Sequence, residues 1–150
     1  MQRIDNKKPQ ELAEAVVNKM LAQDWFSQWL GIEKEIVAPG HVRLRLRVRR
    51  EMLNGFAIAH GGIAFALADS ALAFAANGYG HVSLTLESSL SYLKPAREGD
   101  VMIAETEEIS HTKRTAIYLV HIQHEDGTRI GLFKGVLHKT EQAHFPDMQN

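Results

Sequence analysis

The stretch Ile63–Ala76 (IAFALADSALAFAA) is apolar on nearly every side when it is drawn as a helix. A helix of this kind is stable only when other elements cover it all round. About six other segments show the patterns of β-strands. We therefore predict an α+β fold in which an antiparallel sheet of about six strands wraps around this long central helix.

One carboxylate, Asp69, interrupts the apolar run. Removing a carboxylate from water is costly unless it has a partner or a function. Its neighbours Leu67, Ala68, Ala71 and Leu72 leave little polar surface around it. We therefore favour a chemical role for Asp69 over two alternatives, a helix-surface residue or one half of a buried ion pair.

The apolar run follows directly on His60-Gly61-Gly62. Two glycines place no side chains over the first helical turn, so the free N–H groups of the helix start are open to a carbonyl oxygen or another anion. This is the geometry of an oxyanion hole. Taken alone, His60 is also typical of a loop or of a helix cap, and Gly-Gly is typical of a turn.

Gly61 and Asp69 are separated by eight residues. On one helix this separation is about 12 Å, which is too far for both groups to touch one reacting carbonyl. If both act on one substrate, they come from two copies of the helix that lie antiparallel across a two-fold axis. The spacing therefore predicts a site that belongs to a dimer.

Two stretches together resemble a known group of enzymes. Met52–Asn77 (MLNGFAIAHGGIAFALADSALAFAAN) resembles the signature of the phenylacetic-acid-degradation (PaaI) group of hotdog-fold acyl-CoA thioesterases. Ser91–Asp100 (SYLKPAREGD) resembles the strand and turn that follow in that group. The similar pattern covers roughly residues 25 to 138. The resemblance implies a hotdog fold and thioester hydrolysis.

The resemblance also implies a role for each residue of the site. Asp69 would be the catalytic carboxylate, acting as a general base on water or as a nucleophile through a transient anhydride. The Gly61 N–H of the facing subunit would polarise the thioester carbonyl. Asn54 and His60 would line the same half of the site, and Thr85 would orient the water.

The predicted substrate-binding residues are Gly62, Lys113 and Arg114. In relatives, basic residues near the turn at 110–114 lie close to the coenzyme A phosphates, so the resemblance implies this contact for Lys113 and Arg114. An exposed turn is also charged for solubility alone. The substrate would be an aryl or phenylacetyl-type ester of coenzyme A, or a medium-chain acyl-CoA, and dimers in relatives usually pair into a homotetramer.

We expect no metal and no cofactor beyond the coenzyme A that is part of the substrate. An ordinary aspartate has a pKa near ~3.9, so it is ionised at neutral pH and already competent as a base or nucleophile. The chain has no cysteine, no G-x-S-x-G and no H-E-x-x-H sequence. These absences argue against thiol, serine-triad and zincin chemistry.

Composition favours a single domain. The chain has 150 residues, of which 45% are apolar, and a net charge of −1, which gives no general attraction to nucleic acid or to an anionic membrane. The beginning, MQRIDNKKPQ, has no apolar stretch of the signal-peptide type. The longest apolar run has about 14 residues and contains Asp69, which is too short for a membrane span. We expect a cytoplasmic protein.

The remaining elements follow from periodicity and turn residues. We predict an N-terminal helix from Pro9 to about Gln23 that acts as a lid on the sheet, and we interpret the aromatic cluster of Trp25, Phe26, Trp29 and Leu30 as core or as a subunit contact rather than a ligand cage. Asp126-Gly127 predicts a hairpin turn. The tails 1–8 and 139–150 are expected to be frayed. The predicted strands are Ile32–Val37, His41–Arg50, Val82–Leu93, Val101–Ile109, Thr115–His124 and Arg129–His138.

A row of arginines lies on one side of the second strand, opposite an apolar side. It could indicate binding of polyphosphate or nucleic acid. We favour a solvated face that is balanced by acidic residues of a neighbouring strand, because no interleaved aromatic residues or recognition element accompany the row. Glu105, Glu107 and Glu108 could supply the balance.

Three functions from different classes compete. The first is an acyl-CoA thioesterase, which we favour. The second is a related hotdog enzyme that hydrates or dehydrates acyl thioesters, against which the order of HGG and Asp69 argues. The third is a non-catalytic acyl-CoA binding protein, which would lack the carboxylate or carry a DNA-binding segment.

Overall fold

The computed structural model describes residues 7–148. Its helices are α1 (Lys7–Leu21), α2 (Trp25–Leu30) and α3 (Gly61–Asn77), with two short 3-10 turns at Arg50–Met52 and Pro146–Met148. Its strands are β1 (Glu33–Ala38), β2 (His41–Arg47), β3 (His81–Tyr92), β4 (Val101–His111), β5 (Thr115–His124) and β6 (Arg129–Ala143). No helix within residues 7–148 is long and apolar enough to cross a membrane.

The six strands form one sheet in the order β1-β2-β4-β5-β6-β3, and every neighbouring pair is antiparallel. Helix α3 lies across one face of this sheet and contacts all six strands. Leu67 and Leu72 of α3 are fully buried and share a core with Tyr118 and Phe133 of the sheet. Burying each side chain of this size stabilises the fold by about 1.5–3 kcal/mol. The predicted α+β architecture, with its central helix, is confirmed.

Helix α1 covers the end of the sheet at β1 and also packs on α3. Ala13, Val16 and Val17 are fully buried in this contact. The predicted N-terminal helix is therefore confirmed, although it begins at Lys7 and ends at Leu21.

The aromatic residues of α2 are exposed, so the core alternative is wrong for these three residues, but it is confirmed for Leu30, the fourth member of the cluster. Trp25 is 72% exposed, Phe26 56% and Trp29 51%, whereas Ser27 and Leu30 are buried. A helix of only six residues buries one narrow side, and here that side carries Ser27 and Leu30. The Ser27 hydroxyl lies 2.8 Å from the Ser70 hydroxyl and so fixes α2 to α3. The subunit-contact interpretation of the aromatic residues stays a prediction.

The arginine row has partners, as we favoured, but only one of the predicted acids supplies them. Arg43 donates to Glu105 at 2.8 Å and to Glu35 at 2.7 Å. Glu107 instead binds His121 at 2.6 Å, and Glu108 accepts from the Tyr79 hydroxyl at 2.8 Å. The remaining arginines of the row also have acceptors: Arg45 (Glu35 and Glu125), Arg47 (the Gly99 carbonyl) and Arg49 (Glu51 and two carbonyls of α2).

The chain from Lys139 to Ala143 is not frayed, which corrects the prediction for these residues. Strand β6 continues to Ala143 because β3 begins at His81 and pairs with it to the end. The Lys19 side chain donates to the His144 carbonyl at 2.8 Å and holds the next residue. At the other end, residues 7 and 8 are already helical, and residues 1–6 and 149–150 lie outside the described residues. The hairpin turn at Asp126-Gly127 is confirmed, with Gly127 at φ +88°.

Candidate functional site

Helix α3 begins at Gly61 and is capped by His60. The His60 Nδ1 atom accepts from the Gly62 N–H at 2.9 Å, and the His60 carbonyl accepts from the Ile63 N–H at 2.9 Å. The capping alternative for His60 is therefore confirmed, and its ring carries a proton on Nε2 if neutral. The Gly62 N–H is occupied, so the prediction that both glycine N–H groups are open to a ligand is wrong for Gly62.

The Gly61 N–H is the open donor of this turn. It stands in the first turn, where no intrahelical carbonyl is available, and it has no acceptor among the described residues. Gly61 also lines an apolar cavity of about 400 Å³. A carbonyl oxygen placed at this mouth meets one N–H group at the positive end of a 17-residue helix.

Asn54 reaches the same cavity from the loop before the helix. Its Oδ1 atom accepts from the Phe56 N–H at 2.9 Å and the Ile58 N–H at 3.4 Å, which stabilises a turn in which Ala57 has φ +58°. Its Nδ2 atom has no acceptor within residues 7–148. The side chain thus uses its oxygen to hold the loop, and its two N–H donors have no partner among the described residues at the cavity that Gly61 also lines.

Tyr92 lies against Gly61 and was missed by sequence reasoning. Its hydroxyl donates to the Gly61 carbonyl at 2.9 Å, and its ring lines the cavity. The only signal in the sequence is its position at the end of β3, in the stretch SYLKP. That position alone does not reveal contact with a helix start.

Asp69 lies two turns further along α3 and is half-buried. Its carboxylate has no hydrogen bond or ion pair within the described residues, so the ion-pair alternative fails inside one protomer. Burial raises the pKa of Asp69 above its ordinary value, and the nearby charge of Asp24 raises it further. The expectation that Asp69 has an ordinary pKa is therefore wrong, because the pKa is raised.

Asp69 belongs to a stripe of α3 that the sheet does not cover. The accessible residues recur every three or four positions and are mostly small: Gly62, Phe65, Ala66, Asp69, Ser70 and Ala73. The other residues between Ile63 and Asn77 are buried. Small residues allow close approach of another backbone to this stripe.

Thr85 lies on β3, which forms one edge of the sheet. It pairs with Leu137, a fully buried residue, so its side chain points to the same face as α3. Thr85 itself is exposed. Beside it on this unpaired edge, Leu84 is 58% exposed and Leu86 65%. An accessible apolar edge of this kind is a template for pairing with another strand.

Lys113 and Arg114 lie at the turn between β4 and β5, at the end of β3 opposite Tyr92. They line a cleft of about 590 Å³, here called the basic cleft because its three cations outnumber its one carboxylate. The other residues of its lining are Lys139, His81, His138, Thr140 and Glu141. Lys139 was missed because we expected this part of the chain to be frayed. Burial lowers the pKa of Lys139, and its ammonium group donates to the Thr112 carbonyl at 2.9 Å.

The structure therefore places the predicted residues in three groups. Gly61 and Asn54 meet at the apolar cavity, whereas His60 does not line it and instead caps the start of α3. Asp69 and Thr85 lie away from it, on α3 and on the edge strand. The third group is the basic cleft. No group of three or more histidine, aspartate or glutamate side chains suited to a metal occurs within residues 7–148.

Comparison with known proteins identifies the family of this chain. The profile of the thioesterase superfamily matches residues 56–130. Escherichia coli PaaI, an acyl-coenzyme A thioesterase, is 30% identical over 120 residues, which are 80% of this chain and 86% of that protein.

Solved structures of related proteins support the same family. The E. coli PaaI structure matches with a TM-score of 0.86 at 28% identity and covers 89% of this chain and 96% of that one. A mutant of Thermus thermophilus PaaI matches with a TM-score of 0.75 at 34% identity over 78% and 100% of the two chains. A hypothetical thioesterase protein of Streptococcus pneumoniae, solved with coenzyme A, matches with a TM-score of 0.72 at 28% identity over 75% and 88%. The chain belongs to the thioesterase superfamily and is a hotdog-fold thioester hydrolase of the PaaI type.

Proposed function

We propose that the protein hydrolyses acyl-CoA thioesters and that two protomers share each site. The observation that supports this proposal most directly is the distance between the reactive groups on α3. The Gly61 N–H and the Asp69 carboxylate, both without a partner within residues 7–148, lie eight residues apart on one rigid helix. This is about 12 Å, which exceeds the reach of one carbonyl group. A second helix that runs antiparallel to the first brings the Asp69 of one copy to the Gly61 of the other.

The uncovered surfaces favour this assembly. Pairing of the β3 edge with its own copy satisfies the open edge of the sheet and buries Leu84 and Leu86. A two-fold axis at β3 also sets the two α3 stripes side by side. Pairing of such dimers into a tetramer, a phenylacetyl-type substrate and a cytoplasmic location stay predictions.

In this chemistry each protomer contributes a different set of catalytic groups to the site. The Gly61 N–H and the Asn54 Nδ2–H₂ groups donate to the thioester oxygen and stabilise the negative charge that develops there. His60 holds the helix start in place through Gly62. Asp69 of the other protomer either takes a proton from water or attacks the carbonyl carbon itself and forms an anhydride that water then cleaves. Thr85 of that protomer would orient the water.

Coenzyme A leaves as the thiolate when its C–S bond breaks, and the thiolate takes a proton from water to give the free thiol. Its phosphates require cations, and the basic cleft offers Lys113, Arg114 and Lys139. This cleft lies at the His81 end of β3, on the protomer that contributes Asp69 and Thr85. We propose that the phosphates bind there.

Relatives support these assignments by residue type and spacing. The S. pneumoniae protein was solved with coenzyme A and also as two mutants, in which an aspartate and a threonine were each replaced by alanine. In its numbering those two residues stand sixteen positions apart. Asp69 and Thr85 have the same separation.

A complementation experiment tests the shared site. Asp69→Asn and Gly61→Ala are each expected to be inactive when purified alone. If the two are unfolded together and refolded as a mixture, half of the dimers are mixed, and each mixed dimer holds one intact site. The mixture should recover about a quarter of the wild-type rate of thiol release.

The control is the same procedure with each variant alone, which should recover nothing. Size-exclusion chromatography of every sample confirms that dimers have formed. A mixture that contains mixed dimers but stays inactive would show that no site is shared. Failure of the wild-type chain to release thiol from any acyl-CoA would overturn the proposed substrate class.

A further inference from the structure

The cavity beside Gly61 has no assigned occupant in the proposed reaction. It measures about 400 Å³, and apolar side chains dominate its walls. Cavities of this size usually bind small organic groups and bury most of their surface. Asn54 and Gly61 lie at one side of it, so a carbonyl held by their N–H groups projects its substituent into this space.

The depth of the cavity follows from the exposure of its walls. Met102 is fully buried, Ala96 is 2% exposed, Ile130 3% and Ala64 4%. Tyr92 and Leu93, by contrast, are more than half exposed, and Lys94, the one cation of the lining, is exposed as well. The first four residues therefore form the inner end of the cavity, and the last three form its mouth.

We propose that this cavity receives the acyl group, that this group is uncharged and apolar, and that Ala64 and Met102 set its permitted length. Of the residues at the inner end, none offers a polar side chain to a carboxylate or hydroxyl on the substrate. Ala64 and Ala96 have the smallest side chains there, and Ala64 lies on α3 one turn from Gly61, so a larger side chain in place of Ala64 would fill space next to the bound carbonyl. This inference rests on the proposed acyl-CoA substrate.

Two variants that change the cavity in opposite directions test it. Ala64→Val fills the inner end, and Met102→Ala empties it. The measurement is kcat/KM for thiol release from acetyl-, hexanoyl-, lauroyl- and phenylacetyl-CoA. We expect Ala64→Val to lower the ratio of lauroyl to acetyl turnover by about tenfold and Met102→Ala to raise it, since one methylene in an apolar pocket changes discrimination by about that factor.

The matched control is Met52→Ala, which removes an equally buried methionine that does not line the cavity. It should leave the ratio unchanged. Ratios that stay constant in both cavity variants would overturn the acyl assignment, while thiol release by the wild type would show that the proposed function survives. Preferential turnover of an acyl group that ends in a carboxylate would also overturn it.

A separate contact points to Tyr92 as a positioning residue for Gly61. A methyl group built on Gly61 would lie 2.7 Å from the Tyr92 hydroxyl oxygen and 2.9 Å from ring carbon Cζ. The ring therefore rests directly on the Gly61 backbone, and the hydroxyl donates to the carbonyl of the same residue. These two contacts fix the first residue of α3, and with it the direction of the Gly61 N–H.

Tyr92→Phe isolates the hydroxyl. We expect kcat to fall by about tenfold, the effect of one lost hydrogen bond, while KM and the thermal unfolding midpoint stay near wild type. An unchanged kcat would overturn the assignment. A raised KM with unchanged kcat would also overturn it, because that result indicates substrate binding rather than positioning.

A double-mutant cycle tests the ring contact. Gly61→Ala should lower kcat far less in a Tyr92→Ala background than in the wild type, because the clash with the ring is absent there. Additive effects of the two substitutions would contradict the contact. Circular dichroism of all four proteins establishes that they fold.

Discussion

The outer face of the sheet and the uncovered stripe of α3 both carry charged side chains, but these differ in whether they have partners in the same protomer. On the outer face, Arg43 lies between Glu35 and Glu105, and these hydrogen bonds raise the pKa of the arginine. On the stripe, Asp69 is half-buried and has no partner in the part of the chain that the structure describes, and its pKa is raised chiefly because its charge is poorly solvated. A charge with partners in its own protomer serves the fold, whereas a charge without one indicates chemistry or a second protomer.

The largest expected effect comes from Asp69→Asn, which removes the unpartnered charge and nearly preserves shape. Thiol release should fall by about 10²- to 10⁴-fold, the range for loss of a general base. Measurement of kcat with the best acyl-CoA in the panel checks this. Turnover close to wild type would remove Asp69 from the site.

The same variant makes a stability prediction. Because the folded-state pKa of Asp69 is raised, its contribution to stability is complete below the unfolded pKa and is lost as pH rises through the folded value. Asparagine cannot ionise, so Asp69→Asn should have a higher free energy of unfolding at pH 7. Urea denaturation should show this difference shrinking toward pH 3.

Asn54→Asp is expected to have the next largest effect. An aspartate keeps an acceptor for the Phe56 and Ile58 N–H groups and so preserves the loop, but it removes both Nδ2–H donors beside Gly61. We expect a loss of about 100-fold in kcat with little change in thermal stability, in the range seen for lost oxyanion donors. Asn54→Ala is the comparison, because it loses the loop contacts as well and should also unfold more easily. Equal stability of the two variants would contradict the double role of the side chain.

A smaller effect is expected from Asp24→Asn, which alters the surroundings of Asp69 without touching it. Asparagine caps a helix as well as aspartate does, so α2 should persist. Loss of the Asp24 charge removes one of the causes that raise the pKa of Asp69, and the acidic limb of the kcat/KM profile should move to lower pH. Burial, the larger cause, remains, so the limb should stay above the position of an ordinary aspartate. A limb that moves to higher pH would contradict this account.

Glu105→Gln, on the outer face, should have the smallest effect. Arg43 keeps Glu35, and both carboxylates are about a third exposed. Exposed ion pairs contribute about 0.2–1 kcal/mol, so the free energy of unfolding should fall by less than about 1 kcal/mol and thiol release should not change. A marked loss of activity would mean that the arginine row has a role beyond the fold.

Local pattern predicted the central helix and most of the strands, and it singled out Asp69 as the candidate catalytic carboxylate. An unbroken apolar run requires burial, and alternating residues such as Val42 and Leu44 place one side of a strand in the core. Strand ends were less predictable. Strand β6 extends to Ala143 because β3 is there to pair with it, and nothing in the polar sequence after Lys139 indicates that partner.

The features of the candidate site can also be divided into those that the sequence determined and those that only the tertiary structure decided. The sequence by itself determined that a carboxylate and a glycine N–H lie about 12 Å apart on one helix, because helix geometry fixes that distance. Only the tertiary structure decided that His60 occupies the Gly62 N–H, that Asn54 keeps its Nδ2 donors free, and that Tyr92 rests on Gly61. These are contacts between segments whose separation along the chain carries no information about their distance in space, and they depend on how the sheet and loop close around the start of α3.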